Sequence, residues 1–418
     1  NLLLLKIACK LKNIALYCNH TLSKEDKMDL FKKCQDFTRI EDIKSINLYP
    51  YFHELESKQD TIVEMEGHKT IMIGSNNYLG LTSHPEVIDA GVEALKKYGS
   101  GCSGSRFLNG TLDLHVKLEK ELAEFLHKEE VVTFSTGFQS NLGSISAIAS
   151  KNDYIVCDKE NHASIYDACK LSYAKMLRYE HNNMEDLERQ LQSIPQDKGI
   201  LIVTDGVFSM SGEICNLPKI VELKHKYGAR VMVDDAHGFG VIGEGGRGTG
   251  SHFNLENEVD IIMGTFSKSL ASLGGYMASS ERVANYVRHN SRPFIFSASI
   301  PPANVACARK ALEIIKREPE RVKNLQDNGA YVRAGLEKRG IKYIPSETPI
   351  VAIYTYDDEK TFLACKMLFE RGVYVNPVVS PAVPVGSSLI RTSYTATHTH
   401  EQLDEAMDKI KQVLDEIL

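Results

Sequence analysis

The chain has 418 residues, 43% of them hydrophobic and 25% charged, and a formal net charge of −6. That length exceeds what a single hydrophobic core usually serves, so two packed domains are expected. The mildly acidic balance excludes the basic footprint of a nucleic-acid binder, and no apolar run reaches the roughly 20 residues that a membrane helix needs.

The first residues, Asn1-Leu-Leu-Leu-Leu-Lys-Ile-Ala-Cys-Lys-Leu-Lys12, resemble a secretory leader only superficially, because the apolar stretch is short and broken by lysines. Residues 1–27 are expected to be upstream sequence, with the natural chain opening at Met28; a peripheral membrane anchor is the alternative. Residues 28–75 should form an N-terminal segment that packs with a smaller domain. Nine cysteines without a C-x-x-C pair read as reduced thiols of a cytoplasmic protein rather than a disulfide framework.

Residues 76–302 form the expected large domain. Short β-branched runs alternate there with helical periodicity. The predicted strands are Val131–Phe134, Tyr154–Cys157, Ile200–Thr204, Arg230–Val233 and Ile261–Met263, with amphipathic helices such as 183–193 and 217–227 between them. This alternation implies βαβ units and a mostly parallel, helix-covered sheet, whose ligands bind beyond the carboxyl ends of the strands. Past Pro301-Pro302 the texture changes. Helical stretches at 303–316 and 319–339 precede short strands around Val351, Val373 and Leu389, and a last helix runs from Glu401 towards Leu418. Residues 303–418 are therefore expected to be an α+β domain.

Several motifs carry chemistry. Gly99-Ser-Gly-Cys-Ser-Gly104 satisfies the dinucleotide pattern G-x-G-x-x-G, but that pattern works only between a strand and a helix. Here a helical segment, 86–98, precedes it, so a nicotinamide site is rejected. Ser135-Thr-Gly-Phe-Gln139 puts a glycine at a strand-to-helix turn, where free N–H groups suit a phosphate. A plain turn needs the same residues. His162 opens a helix after a predicted strand, where an imidazole can stack on an aromatic cofactor or simply cap the helix.

Asp205 follows the run Ile200–Thr204, and Asp234-Asp-Ala-His237 ends another strand. A carboxylate there can keep a pyridine nitrogen protonated, and the histidine can reach an adjacent phenolic oxygen. A metal site is the competing reading, but no H-E-x-x-H or Cys/His cluster accompanies it. Lys268 lies in Gly264-Thr-Phe-Ser-Lys-Ser-Leu-Ala-Ser-Leu-Gly-Gly275, just past a strand. Desolvation there would favour the free amine, the form that makes an imine with an aldehyde cofactor. Thr265 and Ser267 could hold that cofactor's phosphate. Arg391, placed at the end of the run Leu389-Ile-Arg391, could bind a substrate carboxylate or make a structural interdomain salt bridge.

Together these segments resemble the α-oxoamine synthases, a branch of the fold-type I, aspartate aminotransferase-like pyridoxal-phosphate enzymes. The resemblance runs from about residue 43 to 418 and includes Gly74-Ser-Asn-Asn-Tyr-Leu-Gly80, Asn161-His-Ala163, Thr204-Asp-Gly-Val-Phe-Ser-Met210, Asp234-Asp-Ala-His237 and Gly264-Thr-Phe-Ser-Lys268. The stretches 99–111 and 376–384 are similar to the soluble bacterial serine palmitoyltransferase branch.

The resemblance implies pyridoxal 5'-phosphate bound to Lys268, His162 over its ring, Asp234 at the pyridine nitrogen and His237 at the phenolate. Gly137, Phe138, Thr265 and Ser267 would hold the phosphate, helped across a homodimer interface by Ser297 and Ala298. Ser209 would face the cofactor, while Asn76, Ser105 and Arg391 would contact the amino acid. The implied reaction condenses L-serine with a long-chain acyl-CoA to 3-ketodihydrosphingosine, CoA and CO2, the opening step of sphingolipid synthesis. A sister enzyme using glycine or cysteate is the alternative. A cytoplasmic location with peripheral membrane contact for the acyl chain accompanies that reading.

Overall fold

The computed structural model describes residues 29–418, so the expectation for residues 1–27 lies outside the described residues. The chain divides into two compact units between Tyr49 and Pro50. In the first, two short helices, Lys32–Gln35 and Arg39–Ser45, bury none of their residues.

The described residues after Pro50 contribute thirteen strands. They are β1 (Ile62–Met65), β2 (His68–Met72), β3 (Glu130–Phe134), β4 (Tyr154–Asp158), β5 (Lys175–Tyr179), β6 (Ile200–Asp205) and β7 (Arg230–Asp234), then β8 (Ile261–Thr265), β9 (Gly275–Ser279), β10 (Ile350–Tyr356), β11 (Val373–Tyr374), β12 (Asn376–Val378) and β13 (Ser388–Ser393).

The central sheet has seven strands in the order β3-β9-β8-β7-β6-β4-β5. From β8 to β5 every pairing is parallel, whereas β9 runs antiparallel to both β3 and β8. All the residues of β8 and β9 are buried, as expected of strands covered by helices on both faces. Successive residues alternate between those faces. Val131, Val156, Ile202, Val231 and Ile262 pack into one apolar cluster with the helices Pro85–Tyr98, Asp113–Phe125 and Pro302–Arg317. Val132, Ile155, Val203, Met232 and Met263 pack into another with the helices Gly137–Ile148 and Ala163–Ser172.

A separate core joins residues near the start of this unit to its end. Ile71 and Ile73 pack with Val332, Leu336, Val351, Ile353, Ile390 and the apolar face of the helix His400–Ile417. Two small sheets, β1-β2-β11 and β10-β13-β12, flank this core.

The helix Pro85–Tyr98 stops at Gly99, whose φ of +80° a residue with a Cβ rarely adopts. The glycines that follow therefore leave a helix rather than a strand, which is the wrong context for a dinucleotide turn. Among the described residues, no helix is long and apolar enough to cross a membrane. Arg391 departs from its expected place. It is the fourth of six residues in β13, paired with Ala352 and Asn376, because Thr392 and Ser393 continue the ladder to Ile350.

Candidate active site

The parallel strands deliver their last residues to one edge of the central sheet. Asp205 and Asp234 end β6 and β7 as register partners, and Thr265 ends β8. Because β9 runs the other way, its first residue, Gly275, reaches the same edge opposite Thr265 and Phe134. The turn after β3 then starts the helix Gly137–Ile148 there. A cavity of about 210 Å³ opens at this edge. Gly137, Phe138 and His162 line one part of it, Asp234 and His237 its floor, and Thr265, Ser267 and Lys268 the rest.

One end of the cavity suits an anion. The Thr136 side chain caps the helix by accepting the Gln139 N–H at 3.1 Å, and the Thr136 carbonyl accepts the Ser140 N–H. The Gly137 and Phe138 N–H groups precede those bonds and are free for an acceptor in the cavity. Only glycine fits at position 137, since a Cβ there would stand 2.8 Å from Thr265 Oγ1. The Thr265 hydroxyl lies 2.9 Å from that of Ser267 and donates to the Gly274 carbonyl at 3.1 Å. The Ser267 hydroxyl is exposed at the rim.

The opposite end concentrates charge. Burial, seconded by the positive charge of Arg391, lowers the Lys268 pKa to about 7 against the opposing pull of Asp234 and Asp205. About half of its amine is therefore uncharged and available as a nucleophile near neutrality. Burial and the neighbouring Asp234 push the Asp205 carboxyl well above the usual range. Burial also holds His237 well below the ordinary imidazole value, so its ring is neutral. Its Nδ1 lies 2.7 Å from the Tyr78 hydroxyl. The Asp234 carboxylate accepts the Asn141 side-chain amide at 2.7 Å and the Ala236 N–H at 3.1 Å. Asp235 instead turns away to hold the Thr249 N–H and hydroxyl at 2.7 and 2.6 Å.

His162 combines both of its sequence readings. Its Nδ1 caps the helix Ala163–Ser172, 3.3 Å from the Ser164 N–H, while its ring lines the cavity. The Phe138 ring approaches it edge-on, with centroids 6.3 Å apart.

The remaining predicted residues lie apart from the cavity lining. Arg391 is buried and donates to the Ser209 carbonyl at 2.5 Å, to Asn76 Oδ1 at 3.0 Å and to Ser393 Oγ at 3.5 Å. All three acceptors are neutral, so the guanidinium keeps its charge unmatched beside Lys268 and Tyr78, a state suited to an incoming carboxylate. Ser105 is buried with an unpartnered hydroxyl. Ser297 accepts the Gln139 side chain at 3.0 Å and the Ala298 carbonyl accepts the Ser135 hydroxyl, so within one chain both flank the base of the anion site.

Sequence reasoning missed Asn141, Ser164 and Tyr78. Asn141 sits one turn beyond Gly137, and Ser164 two residues beyond His162, so helical spacing from the recognised residues could have found both. No group of three or more His, Cys, Asp or Glu among the described residues is arranged for a metal ion.

Comparison with known proteins agrees with this geometry. Residues 68–410 match the model of the aminotransferase class I and II family. A serine palmitoyltransferase of Sphingobacterium spiritivorum is 52% identical over 93% of this chain and 97% of its own length. An 8-amino-7-oxononanoate synthase 1 of Bacillus subtilis is 46% identical over 87% of this chain and 93% of its own. Among solved structures, a serine palmitoyltransferase from S. paucimobilis with a bound PLP-myriocin aldimine superposes with a TM-score of 0.90 at 35% identity, covering 93% of this chain and 99% of that one. The chain belongs to the aminotransferase class I and II family, and within it to the α-oxoamine synthases, pyridoxal-phosphate enzymes of fold type I.

Proposed function

We propose that this enzyme condenses L-serine with a long-chain acyl-CoA of the palmitoyl class, releasing CoA and CO2 and forming 3-ketodihydrosphingosine. The observation that carries the reading is the convergence of Lys268, Asp234, His162 and His237 with a free helix N-terminus around one cavity. The relatives named serine palmitoyltransferase support the choice of substrates.

Pyridoxal 5'-phosphate, when bound, supplies an aldehyde and an aromatic ring that withdraws electrons from the amino acid's Cα. The residues present fit it. Gly137, Phe138, Thr265 and Ser267 offer donors for its phosphate. Asp234, held by Asn141, keeps a ring nitrogen protonated, and His237 serves the phenolic oxygen. Lys268 would hold the cofactor through its amine and is the base available for a proton at the substrate's Cα. His162 covers the ring and orients the substrate. Arg391 takes the substrate carboxylate, with Asn76 and Ser105 completing the amino-acid site and Ser209 holding Arg391 through its carbonyl.

In a homodimer, Ser297 and Ala298 of each chain would reach the partner's phosphate site. The seven cysteines among the described residues are free thiols, which suits a cytoplasmic enzyme.

Purified enzyme should be given serine, glycine, alanine or cysteate with palmitoyl-CoA, following CoA release and product mass. Serine is expected to give the fastest release and the mass of 3-ketodihydrosphingosine. Faster turnover with any of the other three would overturn the serine assignment.

A further inference from the structure

Asn141 lies one turn inside the helix Gly137–Ile148 and is completely buried. Its side-chain nitrogen has two protons and spends both. One goes to Asp234 Oδ2 at 2.7 Å and the other to Ser164 Oγ at 2.8 Å. The amide cannot be turned over, since that would set its oxygen against the Asp234 carboxylate. Its oxygen is buried without a partner, so the donor end is what this position uses.

The consequence passes to Ser164. Having accepted from Asn141, the Ser164 hydroxyl has its own proton left, and the His162 Nδ1 lies 2.7 Å away. The Ser164 N–H points at the same nitrogen from a longer 3.3 Å. The backbone N–H can only donate, so Nδ1 carries the lone pair and Nε2 the proton, and the hydroxyl proton is directed to the same nitrogen. One amide thus fixes the Asp234 carboxylate and, through a directed hydroxyl, the imidazole tautomer. Its two ends lie 93 and 23 residues away in sequence.

We infer that Asn141 is a positioning residue that directs the Ser164 hydroxyl onto His162 Nδ1, so that His162 presents a protonated Nε2 to the cavity while Asp234 stays oriented. The inference deepens the proposed function, because it takes Asp234 and His162 as the groups on either side of the cofactor ring.

The test is nitrogen NMR of the full chain with ring-15N histidine, as purified and again after cofactor removal, with His162 assigned by His162→Gln. A single Nε2–H tautomer is expected at His162. Asn141→Asp sets a second carboxyl against Asp234, where the two share one proton and leave only an acceptor towards Ser164, so it should reverse the hydroxyl and shift His162 towards the Nδ1–H form. Ser164→Ala removes the short bond and leaves only the longer backbone N–H on Nδ1, so it should weaken the tautomer preference measurably while sparing the Asp234 contact. It also provides a second route should Asn141→Asp fail to fold. An unchanged tautomer in a folded variant of either kind would overturn the inference, as would an Nδ1–H form in the parent. Because the tautomer is also read without cofactor, these outcomes are separate from the proposed function, which fails instead if the purified chain neither carries nor takes up pyridoxal 5'-phosphate.

Discussion

An amine whose pKa is lowered to about 7 is half uncharged at neutral pH, whereas a solvated lysine is almost entirely protonated there. The sign of the pH dependence follows. Stripped of cofactor, the protein should capture pyridoxal 5'-phosphate at a rate that climbs through pH 7 and levels off above about pH 8. Stopped-flow absorbance reads this directly, and a rate still climbing towards pH 10 would mean an ordinary lysine. Asp234 pulls the Lys268 pKa upward, so Asp234→Asn should move the midpoint to lower pH.

Arg391 makes a different prediction. Its neutral partners leave its charge for the amino-acid carboxylate, so Arg391→Ala should raise KM for serine by about tenfold or more while leaving KM for acyl-CoA nearly unchanged. The reverse pattern would move it to the CoA site. At this scale the candidate side chains Lys268, His162, Asp234 and His237, which line one cavity, were legible in the sequence because Lys, His and Asp follow strand ends with few other tasks. It concealed Tyr78 and Asn141, whose importance comes from partners 159 and 93 positions distant.

Among the elements, the helix Gly137–Ile148, capped by Thr136, brings its free N–H groups to the cavity and holds Asp234 through Asn141. Gly137→Ala would drive a methyl group into Thr265 and push the helix N-terminus away from the phosphate position. Its pyridoxal 5'-phosphate dissociation constant, measured by absorbance titration, should rise about tenfold with the fold intact. Unaltered affinity would place the phosphate elsewhere.

The five predicted strands are all present, because buried strands read as short apolar runs rich in β-branched residues. β5 and β9 escaped notice for the opposite reason. Lys175-Met-Leu-Arg-Tyr179 and Gly275-Tyr-Met-Ala-Ser279 contain no β-branched residue, and tertiary pairing rather than local preference makes them strands. The apolar run that marks β13 in the sequence stops at Arg391, yet Thr392 and Ser393 are buried and continue its ladder.

Across the whole molecule, the groups proposed for the cofactor stand at the edge of the central sheet, while Arg391 stands on β13, whose Ile390 packs in the separate core. This division has a measurable consequence. Ile390→Ala empties a fully buried site and should cost about 2–5 kcal/mol of stability in chemical denaturation. It should weaken serine binding more than cofactor binding, and an equal loss of both would contradict that separation of roles. Length and the change of texture past Pro302 are the reasons to expect more than one core, while the helix Pro302–Arg317 itself packs with the central sheet. The joining of Ile71 and Ile73 to residues beyond 330 depends on contacts that no local pattern encodes.

Everything rests on a covalent bond between the cofactor aldehyde and one particular amine. Borohydride reduction of the purified enzyme, followed by digestion and mass spectrometry, tests it most directly. The account predicts a pyridoxyl group on the peptide containing Lys268, absent from Lys268→Ala together with turnover. A pyridoxyl group on another lysine, or none on the active enzyme, would contradict it.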